Sequence, residues 1–469
     1  MKRILAFFLV ALTVSPALAE SVPDLRTRTT GDDWETFLGP RTDGRSAEKI
    51  RTDWGKNGPR VVWFRKAGEG YSAPSTSRGR LFLFDRVGNE ARLTALNSET
   101  GEELWQATYP TTYEDYFNYS NGPRATPLVE NERVFILGVD GRLRAHHVVD
   151  GKLLWEVDTE KTYGVVQNFF GAGSTPVIED DLLIVPIGGS PPKSPKILAG
   201  TVEGNGTGLV AFDKATGKER WRATDELASY ASPVLTTIDG RRWGFAFMRG
   251  GLVGFNPANG KVDFQFPWRA KKLESVNAAT PVVVDNHVFI TESYGPGSAL
   301  LRVAPGQADL VWKDPPRGKA MESHWATPIY HEGYVYGSSG ESSGNARLQA
   351  VELKTGKIAW SEPGLRRSTL LYADGHFLVL SEYGQLYLVK ASPDAYTLVA
   401  EHDFGVNAQK PAGDDSAVQS AAKTTVDARP AERPTLKFPA WNAPVLSHGY
   451  VYLRGKDQLI CLDLAPTAK

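Results

Sequence analysis

The sequence predicts an all-β chain: an eight-bladed β-propeller of four-stranded antiparallel blades. Three observations carry this. A repeat recurs through the chain, most copies about 42 to 57 residues apart, each copy has a period of two, and the two chain ends complete one another. With 46 Gly, 30 Pro and 12 Trp in 469 residues, the composition supplies the turns and large apolar side chains such a fold needs.

Each unit opens with a small residue, Pro and an aliphatic, at Pro74, Pro127, Pro176, Pro233, Pro281, Pro328 and Pro444, with a proline-free copy near Thr369 and Leu370. A short β-branched or aromatic run follows. The unit then closes with an L-x-A-x-D/N strand, a Thr-Gly or similar turn, and Trp four residues after the Gly. Residues 93–97 lead to Gly101 and Trp105, 143–147 to Gly151 and Trp155, 209–213 to Gly217 and Trp221, and 348–352 to Gly356 and Trp360. Phe264 replaces the Trp after 252–256, residues 300–303 lead more loosely to Trp312, and 386–389 and 459–463 are weaker copies.

Chemistry explains each element. L-x-A places Leu and Ala on one strand face. The Asp or Asn starts a turn, and the Gly takes a left-handed conformation. One sheet face cannot cover a Trp, whereas a stacked neighbour can. Trp63 lies in a strand with no L-x-A-x-D before it, and 459–463 has no Trp after it. The N-terminal strand is therefore expected to close the last blade, which removes two open sheet edges.

Lys2 and Arg3, an apolar run over 4–14 and Ala17-Leu18-Ala19 read as a signal peptide over 1–19. Residues 20–469 then form one domain, exported to the periplasm or beyond, with no membrane span. A loop over 186–208 interrupts the third unit. A stretch of about 405–439, polar and aperiodic, is expected to be a mobile insertion.

Lys+Arg 53 against Asp+Glu 54 argues against nucleic acid as a partner. One cysteine, Cys461, forbids an intrachain disulfide, a CxxC centre and a haem c site. It takes the place of the Ala in L-x-A and is expected in the core. Gly340-Glu341-Ser342-Ser343-Gly344 spells a nucleophile elbow, but it lies between two β elements and reads as a turn. Gly204 to Gly208 precedes a strand, not a helix, and is no phosphate cradle. His146 and His147, adjacent in a strand, face opposite ways and cannot share an ion. No metal site is assigned.

The A-x-D-x-x-T-G-K-x-x-W pattern, best seen at Ala211, Asp213, Thr216, Gly217, Lys218 and Trp221, resembles the repeat of pyrroloquinoline-quinone (PQQ)-type propellers. The opening from Asp33 through Trp34, Phe37, Leu38, Gly39 and Pro40 to Asp43 and Gly44 resembles the leader of exported, planctomycete-type PQQ-like repeat proteins. The resemblance covers roughly 34–463. Its superfamily includes quinoprotein alcohol dehydrogenases and an outer-membrane assembly scaffold. It implies PQQ and calcium as cofactors for an enzyme of this type. The adjacent cysteine pair of those dehydrogenases is absent here, as is the lipid-bearing cysteine of the scaffold.

In a propeller the segments before each Pro anchor converge on the axis. Arg124, Asn168, Asn277, His324, Arg367 and Asn442 are the candidate cofactor- or ligand-binding residues, with Tyr71, Asn121, Tyr230 and Arg366 nearby in the pattern. Arg, Asn and His together suit a small anionic or sugar-like ligand. The alternative role for them is to join neighbouring blades. The aromatic run at 113–119 reads equally as a binding loop or as packing. The leading expectation is a monomeric binding or interaction module, with an exported protein as the other partner class. A PQQ-dependent oxidoreductase acting on an alcohol or sugar, and an envelope assembly scaffold, are the alternatives. No catalytic residue is assigned.

Overall fold

The computed structural model describes residues 22–166, 168–195, 202–405 and 434–466. The predicted signal peptide and residues 406–433 of the predicted insertion lie outside these. Eight four-stranded antiparallel sheets surround one axis. Blades 1 to 7 span residues 75–110, 128–158, 177–223, 234–267, 282–313, 329–363 and 368–403. Blade 8 joins three C-terminal strands, 445–463, to the N-terminal strand Arg60–Lys66. Trp63 pairs with Cys461 in that closure, and Cys461 is fully buried. Among the described residues, α-helix is confined to one turn, Thr159–Tyr163.

The repeat works as an inter-blade staple. The turn glycines Gly101, Gly151, Gly217 and Gly260 have φ near +70°. A Cβ on any of them would lie 2.5–2.7 Å from the Trp of the preceding blade: Trp63, Trp105, Trp155 and Trp221 respectively. Both the backbone and the neighbour therefore demand Gly. The Trp indole then donates to a carbonyl of the next blade, as Trp63 to Ser98 O at 3.1 Å and Trp105 to Val148 O at 3.0 Å.

The small residue before each Pro builds a belt around the axis. The Thr126 N–H donates to Thr175 Oγ1 at 3.0 Å, Thr175 N–H to Ser232 Oγ at 2.9 Å, and Ser232 N–H to Thr280 Oγ1 at 3.3 Å. The Thr280 N–H donates in turn to Thr327 Oγ1 at 3.0 Å. Hydroxyl residues thus satisfy backbone donors that the innermost strands leave unpaired.

Two features were not legible. The leader crosses one mouth of the axis. Its Trp34 and Glu35 carbonyls accept from Thr76 and Val129 on blades 1 and 2, and Gly44 and Ser46 bond Tyr372 on blade 7. Phe37 and Leu38 lie between these anchors, over the channel. Part of the stretch expected to be mobile, residues 434–439, is packed against the blades. Leu436 is fully buried, and its N–H donates to Phe404 O at 2.7 Å. It fills space left by Gly384 and Gly455, so 434–439 is held between blades 7 and 8.

Candidate functional site

A cavity of about 240 Å³ lies on the axis. Phe37 and Leu38 form part of its wall on the leader side. In all seven proline-anchored units the residue three before the Pro lines it: Tyr71, Arg124, Gly173, Tyr230, Ala278, Trp325 and Trp441. A fixed offset from an anchored strand start repeats one direction around the ring. Tyr119 and Phe170 extend the aromatic wall, while Thr175, Ser232, Thr327 and Thr369 add hydroxyl-bearing residues.

The aromatic rings form a continuous collar. Ring centroids are 4.8 Å apart for Tyr71 and Trp441, 4.8 Å for Trp325 and Trp441, 5.8 Å for Tyr119 and Trp441, and 5.5 Å for Phe170 and Tyr230. Polar bonds lock it. Trp325 Nε1 donates to Trp441 O at 3.2 Å, Tyr71 Oη to Tyr119 O at 3.0 Å, and Phe170 N–H to Tyr230 Oη at 2.8 Å. Beyond the collar, Tyr116, Phe117 and Tyr119 are 41–58% exposed and pack on one another and on Phe169 and Phe170.

Both arginines of the cavity are already neutralised. Arg367 grips Glu382 through Nε at 3.0 Å and Nη2 at 2.8 Å. Glu382, fully buried, also accepts from Ser343 Oγ at 2.6 Å and Trp441 Nε1 at 3.0 Å. Arg367 lies 4.9 Å over Trp325 and 5.5 Å over Trp441. Arg124 is bonded to buried Asp115 and to the Gly122 and Ser120 carbonyls, and sits over Tyr71 and Phe170. His324 contacts Tyr294 Oη through Nε2 at 2.7 Å, and Arg367 Nη1 lies 3.5 Å from its Nδ1. Burial and the Arg367 charge pull its pKa down to about 3, so the imidazole is neutral at working pH.

Of the six candidates, Arg124, His324, Arg367 and Asn442 meet at this cavity. Asn442 Nδ2 donates to Tyr71 O at 2.6 Å, joining blades 8 and 1. Asn277 does not reach it. Asn277 is fully buried and donates to Met248 O at 2.8 Å and Trp268 O at 3.1 Å, a blade-joining role. Asn168 lines a separate, smaller cavity. Asn121 accepts from Asp115 N–H at 2.8 Å, which shapes the 113–121 loop. The Gly340 to Gly344 segment is a turn in which Ser342 bonds Asn345 and Ser343 anchors Glu382. Sequence reasoning missed Trp325, Trp441 and Glu382. The aromatic three before Pro would have found the first two, and a lone acid just beyond the apolar run 377–380 would have found the third.

The implied cofactor can be tested against this donor set. PQQ carries three carboxylates. Here the two cavity arginines are matched by buried carboxylates and the histidine is uncharged. Among the described residues no three His, Cys, Asp or Glu side chains gather in a way that could hold a calcium ion. The residues present do not fit PQQ with calcium.

A family model described as outer membrane protein assembly factor BamB matches residues 48–191 and 189–362. The chain belongs to this family. No curated protein matches the sequence. Among solved structures, BamB from Moraxella catarrhalis is similar at 12% identity and TM-score 0.56, covering 87% of this chain and 99% of that one. The quinohemoprotein alcohol dehydrogenase ADHIIG from Pseudomonas putida HK5 is similar at 12% identity and TM-score 0.59, covering 93% and 81%. That of Comamonas testosteroni gives 13% and 0.51, with the same coverage. At such identities the likeness establishes the BamB-type propeller fold alone. Among the described residues no helix is long and apolar enough to cross a membrane.

Proposed function

We propose that this BamB-family propeller is an exported binding module whose axial cavity takes an uncharged, hydroxyl-rich ring, a sugar-type ligand. The single observation that carries this is the aromatic collar around a charge-balanced cavity. Flat rings offer faces to the C–H side of a sugar, and the belt hydroxyls and the Tyr230 Oη proton offer hydrogen bonds to its OH groups. A net anion would find no uncompensated cation there, which narrows the sequence expectation to its sugar-like half. The site also lacks a poised base. His324 has a pKa of about 3, far from working pH, and Glu382 is committed to three partners, Ser343, Arg367 and Trp441. These features favour binding over proton-transfer catalysis.

Trp325 and Trp441 make the test direct. Titration with neutral mono- and disaccharides is expected to shift and saturate tryptophan fluorescence, and Trp441→Ala to weaken binding at least tenfold. Stabilisation by PQQ with Ca²⁺, with dye-linked turnover of an alcohol, would replace this reading with the oxidoreductase one. The scaffold reading draws on family membership and on the exposed Tyr116, Phe117 and Tyr119. It predicts that a co-purifying exported protein is released by Phe117→Ser while saccharides have no effect.

A further inference from the structure

Arg249 follows the second strand of blade 4, Arg241–Phe247, and is only 4% exposed. It forms no ion pair among the described residues. Its Nη2 donates to Leu273 O at 2.8 Å, and its Nη1 has no hydrogen-bond partner. A second guanidinium, Arg269, converges on the same Leu273 carbonyl at 3.1 Å. The cation is thus doubly unfavourable: it is buried, and it faces a like charge. Both effects pull its pKa down to about 10. The nearby Glu226 accepts from the Gly250 N–H at 2.8 Å, and its charge acts on Arg269 and not on Arg249.

Arg249 forms part of the wall of the smaller cavity, about 60 Å³, between blades 2, 3 and 4. That is several times the space one water needs. Two other donors face this space. Ser229 Oγ accepts from the Asn277 N–H at 2.9 Å and keeps its own proton to give. Asn168 Nδ2 is held only by a long 3.4 Å bond to Ala228 O. Asp140 and Glu160 line the cavity as well, and their charge disfavours a dianion.

We propose that this off-axis cavity is an anion subsite that binds a small monocarboxylate against Arg249, with Ser229 and Asn168 as supporting donors. A carboxylate there would neutralise the cation and accept from its open Nη1. The site is distinct from the axial cavity and does not depend on what that cavity holds.

Equilibrium dialysis of labelled acetate against the mature protein at fixed ionic strength tests it. The expected result is one acetate per chain, displaced by formate but not by acetamide. Arg249→Gln is expected to abolish it while keeping the far-ultraviolet spectrum and melting temperature. Arg249→Lys, which keeps the charge and loses the fork, is expected to retain acetate with at least tenfold weaker affinity. Two outcomes overturn the proposal: no saturable acetate in the wild-type chain, so that water alone solvates Arg249, or equal acetate binding in Arg249→Gln.

Discussion

Charged residues within the last three positions of a blade's second strand, or within two residues after it, differ in whether an ion pair balances them. In blades 1 and 7 they are matched. Asp85 is clamped by Arg92 at 2.9 and 2.8 Å, and Glu382 by Arg367. In blades 4 and 5 they are not. Arg249 lacks a counter-charge among the described residues. Glu292, 1% exposed, forms no ion pair among the described residues; it accepts from Tyr294 N–H at 2.7 Å, and its Oε1 has no hydrogen-bond partner. The same region of the blade thus carries two different chemistries. The Arg367–Glu382 pair stiffens the wall of the axial cavity and cancels its charge. An unmatched group is a standing cost to stability, which a ligand or a proton can relieve.

Breaking a match is expected to have the largest effect. Glu382→Gln leaves Arg367 buried without its counter-charge and should cost about 3–5 kcal/mol in urea unfolding. A loss below about 1 kcal/mol would show that the pair is dispensable.

Glu292 should respond with the opposite sign. Burial raises its pKa from 4.5 to about 7. The folded state then holds the proton more tightly than the unfolded chain between those values. Stability therefore falls as pH rises through about 4.5 to 7 and is lowest above that window. Glu292→Gln should abolish this slope and stabilise the protein at pH 8 by about 3 kcal/mol. A pH–stability curve identical to wild type would mean that the carboxylate is compensated.

The belt offers a control on the unmatched side without charge. Thr280→Val keeps the shape but leaves the Ser232 N–H without its acceptor, and should cost about 1–2 kcal/mol by the same unfolding measurement. The smallest effect is expected for Arg249→Gln, within about 1 kcal/mol of wild type, since it removes a cation that nothing balances. A cost like that of Glu382→Gln would place Arg249 among the matched groups and erase the contrast.

Much of the architecture was written in local patterns. The alternation in L-x-A-x-D, the turn after it and the Trp beyond the Gly are all set within about a dozen residues, so eight blades and their closure by Trp63 could be read in order. That Gly151 must be Gly was half legible. Its turn demanded a positive φ, but the Trp105 ring lying on it comes from the previous blade.

The site was legible as an address and not as a chemistry. Position before the Pro anchors points to the axis because each anchor fixes a strand start, and this brought Arg124, His324, Arg367 and Asn442 together. The sequence could not say that Asn277 turns inward to bind Met248 and Trp268, because adjacent residues diverge by half a strand period. Nor could it say that Phe37 and Leu38 cover the channel. Charge state was decided by tertiary structure alone. Arg367 meets Glu382, and Arg249 meets no acid among the described residues, because folding brings distant strand ends into contact or leaves them apart. Burial then makes the presence or absence of a partner count.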